Sequence, residues 1–155
     1  GLRGEGHGEH ARAGQGIRLI CDRALPGGAW NFGNRAMFGA TCPPQLASTG
    51  FALLALHAKD AAYARNAAGA LAEKGCRHLR HALTRVRAPR SLAWGLMGLE
   101  AWQQRPAEGD DWLAESFAWI RRNRANPLDL AQLMLAAHRR TLDLLGVGVL
   151  QEGVA

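Results

Sequence analysis

Three times along this chain a segment with one apolar face is followed by one that is apolar or small on nearly every side, and that alternation constrains the fold more than anything else. Ala11–Leu25 sets Ile17, Ile20, Cys21 and Ala24 at helical spacing, with Arg12, Arg18, Asp22 and Arg23 elsewhere on the wheel. Pro26, Gly27 and Gly28 stop this helix, and Gly27–Asn34 reads as a loop. Gln45–Ala58, QLASTGFALLALHA, has no polar face, so a helix there is expected to be buried all round. Ala61–Thr84 is one-faced again, with Ala72, Cys76, Leu79 and Leu83 on a stripe and Lys74, Arg77 and Arg80 off it. Pro89 and Ser91 are expected to break and cap before SLAWGLMGLEAW, apolar nearly all round up to Glu100. Trp112–Arg122 carries a stripe of Leu113, Phe117 and Ile120, and Asn126–Pro127 is a good N-cap and first-turn pair for LDLAQLMLAAH.

Composition agrees with helices throughout. Ala (29) and Leu (22) make about a third of the 155 residues, while Val and Ile are scarce, so strand-forming character is nearly absent. The all-apolar segments also align: Phe51, Trp94 and Leu130 correspond, as do Ala52, Gly95 and Ala131, then Leu56, Leu99 and Leu135. Spacings of this size mark structural repeats. The expected architecture is all-α, three helix pairs over residues 11–145, each with an outer and an inner helix. Residues 1–10 are expected to be a disordered or leftover segment, and 146–155 a C-terminal tail.

The formal charge of +6 comes from 17 Arg and two Lys (Lys59, Lys74) against 13 acids, but the basic residues are scattered and form no block that calls for nucleic acid. Arg121, Arg122, Arg124, Arg139 and Arg140 read as solvated helix ends. The three cysteines Cys21, Cys42 and Cys76 are too few and too far apart for a disulfide framework, which suits a reducing, cytoplasmic setting. No run of 18 apolar residues occurs, so no transmembrane helix is expected.

The string Gly27-Gly28-Ala29-Trp30-Asn31-Phe32-Gly33-Asn34, followed by Pro43-Pro44-Gln45 and by Ser48-Thr49-Gly50-Phe51-Ala52-Leu53-Leu54-Ala55-Leu56, resembles the repeat of the squalene-hopene cyclase, terpenoid cyclase and protein prenyltransferase superfamily. It is similar in particular to bacterial prenyltransferase/squalene oxidase repeat proteins with a GGWNYGN-like loop. The resemblance covers roughly Ala11 to Leu145. It implies an α/α toroid, an inner ring of helices within an outer ring around an apolar cavity, of which three pairs make only an arc. The arc implies either a longer chain or a second copy that completes the ring. Ala24 stands where the family's repeat places Gln ahead of Gly-x-Trp, and the later pairs have no Gly-x-Trp. Those departures imply a distant, noncatalytic or degenerate member.

Candidate chemistry is sparse. Asp110-Asp111 after Glu108-Gly109 half fits the acid motif that such cyclases use to protonate an alkene or epoxide, while Asp111 as a helix cap accounts for the same residues. Cys76, His78 and His81 are metal-ligand types, but on a helix Cys76 lies about 200° from His78, so no metal or other cofactor is expected. In the loop, Trp30 caps a core edge, while Asn31, Asn34 and Arg35 either hold turns or face a polar head group. Gln45, Thr49, Phe51, His57, Trp94 and Asp129 lie at the starts and walls of the inner helices. In a toroid they would line the cavity, and otherwise they pack and cap.

Two functions compete at this point. One is a terpenoid cyclase- or prenyltransferase-like domain that binds an isoprenoid or other apolar ligand without an intact catalytic motif. The other is a noncatalytic helical-repeat interaction module that self-associates or binds a partner chain.

Overall fold

The computed structural model describes residues 11–57, 64–123 and 126–138. Six helices occupy them: α1 (Ala11–Asp22), α2 (Leu46–His57), α3 (Ala64–Leu83), α4 (Pro89–Ala101), α5 (Gly109–Arg122) and α6 (Pro127–Ala137). The all-α class expected from composition is what the chain adopts. The terminal segments 1–10 and 146–155, together with Arg124, Arg139 and Arg140, lie outside the described residues.

The helices form two layers. α2 packs against α4 and α4 against α6, while α3 lies on α1, α2 and α4, and α5 on α4 and α6. The segments without a polar face thus make one row and the one-faced segments the other. Leu53 of α2, Leu79 and Leu83 of α3, and Leu92, Leu96 and Leu99 of α4 are fully buried in the shared core. Phe51 meets Trp94, and further along Leu53 and His57 meet Trp102, so α2 and α4 run in the same direction. Their backbones touch: a Cβ at Gly50 would lie 2.1 Å from the Trp94 carbonyl oxygen, and one at Gly98 would lie 2.8 Å from Gly50 Cα.

Four readings need correction. A small antiparallel hairpin, β1 (Ala36–Met37) and β2 (Ala40–Thr41), follows the Gly/Asn loop, where no strand was expected. It is closed by a turn with Phe38 and Gly39 at positive φ, so local turn geometry, not strand composition, makes it. Ser91 does not cap α4. Pro89 is itself the first helical residue, after Ala88, because its missing N–H and preset φ suit that position. Asp111 does not cap α5, which starts two residues earlier at Gly109, so Asp110 and Asp111 sit in a first turn whose dipole favours negative charge. Finally, α2 and α6 are not buried all round: Phe51 of α2 is exposed, and in α6 Gln132, Leu133 and Ala136 are buried while Leu128, Met134 and Leu135 are exposed. The N-cap of α6 follows expectation, with Asn126 Oδ1 accepting from Leu128 N–H at 3.0 Å.

Candidate functional site

The loop after α1 is built around Trp30. Gly28, at φ +79°, lets the chain press onto α3, where a Cβ would strike Lys74 Cβ. Trp30 is thereby buried against Gly75 of α3, its indole N–H donates to Ile20 O at 2.7 Å, and its backbone N–H donates to Thr49 Oγ1 at 3.0 Å. The Thr49 hydroxyl in turn donates to Gln45 O at 2.9 Å, and Gln45 N–H donates to Trp30 O at 2.8 Å. Trp30 and Thr49 thus join α1, α2 and α3, and their polar atoms are spent on one another.

Asn31, Asn34 and Gln45 are brought together at a shallow pocket of about 180 Å³, lined also by Phe32, Met37, Cys42 and Pro43. Asn31 holds its own turn: its Nδ2 donates to Asn34 O at 2.7 Å and its Oδ1 accepts from Gly33 N–H at 3.0 Å. Arg35 is exposed beside the hairpin, where its carbonyl accepts from Cys42 N–H. Phe51 and Trp94 are in contact, ring centroids 4.1 Å apart, on neighbouring helices of the inner row. His57 is set edge-on to Trp102 at 5.4 Å, well along α2 from that pair. Asp129 is half-buried in the first turn of α6.

The acid pair is divided between two environments. Asp110 accepts from Arg105 Nη2 at 2.6 Å, and Arg105 also donates to Ala136 O at 3.1 Å and lies 3.6 Å from a Glu100 oxygen. Arg105 therefore ties the start of α5 to the end of α6, with Asp110 as one anchor, while Asp111 is exposed. The Cys76 side is equally dispersed. Cys76 is buried, and burial pushes its thiol up to about 11, with Arg80 opposing. Burial, and then the charge of His81, hold the His78 imidazole below its ordinary value. Among the described residues no three His, Cys, Asp or Glu side chains converge as a metal site.

Two further concavities were not among the candidates. Arg77, Arg80, His81 and Thr84 of α3 face Pro106, Glu108 and Trp112 across an open cleft of about 630 Å³, whose two walls carry opposite charge. A groove of about 300 Å³ between α5 and α6 is lined by Asp110, Leu113, Ala114, Phe117, Leu133, Met134 and Ala137. Sequence reasoning set Phe117 on a buried stripe with Leu113 and Ile120, yet Phe117 is exposed and Ile120 is not. The detectable signal was one of width: Phe117 and Met134 extend the apolar faces of α5 and α6 beyond what a single neighbouring helix can cover.

The chain matches no family model, no curated protein and no solved structure.

Proposed function

We propose that this chain is a noncatalytic helical-repeat interaction module whose α5–α6 groove docks α1 of a second copy, head to tail. The observation that carries the reading is the asymmetry of the helix rows. Thr49 and Leu92 are fully buried, but Leu128, which follows them at the same repeat spacings, is 59% exposed, so the last inner helix is the least covered, and Met134, which lines the groove, is 64% exposed. The groove continues a seam already filled twice, by α3 across α2 and α4 and by α5 across α4 and α6. At the opposite end α1 exposes Leu19 directly after the exposed Arg18, and the groove is lined at one end by Asp110, with Asp111 next to it on the chain. Apolar surface complementary to apolar surface, rimmed by opposite charge, is the pattern of a docking site.

A head-to-tail contact leaves one groove and one α1 open at each step, so assemblies grow past the dimer unless a ring closes. Light scattering over a range of concentrations tests this: the expected mass rises with concentration, to a closed ring of two chains or beyond, and Met134→Ser or Leu19→Ser returns it to one. A monomer at every concentration overturns the proposal, as does an assembly that survives the loss of Leu19, which would assign a groove-to-groove contact instead.

A second reading, binding of an isoprenoid or other apolar ligand, draws on the Phe51–Trp94 pair, an aromatic surface that neighbouring inner helices present together. Native mass spectrometry of the purified chain tests it: a co-purified apolar molecule displaced by Trp94→Ala supports it, and a bare chain that takes up no added prenyl compound removes it.

A further inference from the structure

We propose that the loop and hairpin over residues 31–42 form a peripheral anchor for an anionic phospholipid surface. Three apolar side chains project there: Phe38 fully exposed at the hairpin tip, Phe32 at 82% and Met37 at 50%. Turn positions ordinarily carry Gly, Asn, Asp or Ser, which tolerate the backbone and suit water. Phe38 does neither, holding φ +51°, where a bulky residue is uncommon and costs energy. The tip therefore presents a large apolar group at a cost to folding that no contact within the described residues recovers.

The projection is held in shape. Arg23 Nη1 donates to Gly33 O at 2.7 Å, Asn31 closes its own turn, Cys42 N–H donates to Arg35 O, and Gln45 N–H donates to Trp30 O at the base. A prearranged tip loses little freedom on binding. Along the chain the charge has one sign here: between Asp22 and Asp60 the only charged residues are Arg23, Arg35 and Lys59, and Arg35 is exposed at the base of the hairpin. Aromatic groups favour the bilayer interface, and basic residues around them are drawn to anionic headgroups. A narrow tip of three side chains is also too small for the roughly 800 Å² per partner of an ordinary protein interface, but it is enough to enter a headgroup layer. No described helix is long and apolar enough to cross a membrane, so this contact would be peripheral.

The test is co-sedimentation of the whole chain with vesicles of phosphatidylcholine alone and of phosphatidylcholine mixed with phosphatidylserine. Binding is expected to the mixed vesicles, weakened by raised salt and by Arg35→Glu. It should fall at least about tenfold in the Phe32→Ser, Phe38→Ser double variant, whose melting temperature stays near that of the parent because both side chains are exposed. The Met134→Ser variant should still bind, which separates this site from the groove. Failure to sediment with either vesicle, or binding that survives loss of both phenylalanines, overturns the proposal. A change in solution mass caused by the Phe32/Phe38 variant without vesicles also overturns it, assigning the tip to a protein contact.

Discussion

α4 meets its two row neighbours in opposite ways. Toward α2 it presents Gly98, and the two helices come together until backbone meets backbone at Gly50 and Trp94–Gly95. One repeat later the position of Gly98 is held by Met134, and a methionine cannot make that approach, so α6 keeps only Gln132, Leu133 and Ala136 buried and turns Met134 outward. α2 and α4 thus meet backbone to backbone, whereas α6, though packed on α4, leaves Met134 exposed at its groove with α5.

The largest effect should come from the lock at the closed side. Trp30→Ala removes a buried indole that joins three helices and should cost about 4 kcal/mol in denaturant unfolding; a loss below about 1 kcal/mol would mean that the loop does not brace the seam. Gly50→Ala should cost about 3 kcal/mol, because the added methyl meets a carbonyl that cannot move without α4. Gly69→Ala, in α3 with open space around it, is the control and should be neutral or stabilise by up to about 1 kcal/mol. Equal effects at the two glycines would dissolve the distinction between seam and surface.

Thr49→Val keeps shape but removes the acceptor for Trp30 N–H and should cost roughly 1–3 kcal/mol. The core on the α3 side should also respond to acid. The His78 imidazole is held low in the folded chain, so the unfolded chain takes up its proton at higher pH. Its contribution is fully present above the ordinary imidazole range and is lost as pH falls through that range toward the lower folded value. His78→Gln should flatten that slope in a series of melts, and an unchanged slope would place the titration elsewhere. The smallest effect belongs to the open groove, where Met134→Ser should alter the stability of the single chain by no more than about 0.5 kcal/mol while removing self-association.

Much of this arrangement was legible from residue order. Periodicity located all six helices, and the contrast between one-faced and all-apolar segments assigned each to its layer, because burial on every side leaves no room for a polar stripe. The Phe51 and Trp94 correspondence was legible too, and the two rings are in fact neighbours. The hairpin was not, since Phe38 and Gly39 make a turn through backbone conformation that composition does not reveal. The true starts of α4 and α5 were missed because Pro89 was read as a breaker and Asp111 as a cap, whereas Pro89 and Gly109 are the first helical residues. Of the candidate ligand-binding residues, Asn31, Asn34 and Gln45 share a pocket, whereas Phe51 and Trp94 form a separate pair and Asp129 stands apart from both.

By itself the sequence determined the helical class, the six helices of the described residues and their division into two layers, because these follow from local propensity and from which faces lack polar groups. Tertiary structure decided how close each pair of helices comes, which apolar faces of the described helices stay uncovered, and that Phe32, Met37 and Phe38 are all exposed on one loop and hairpin. Those outcomes depend on contacts between residues far apart in the chain.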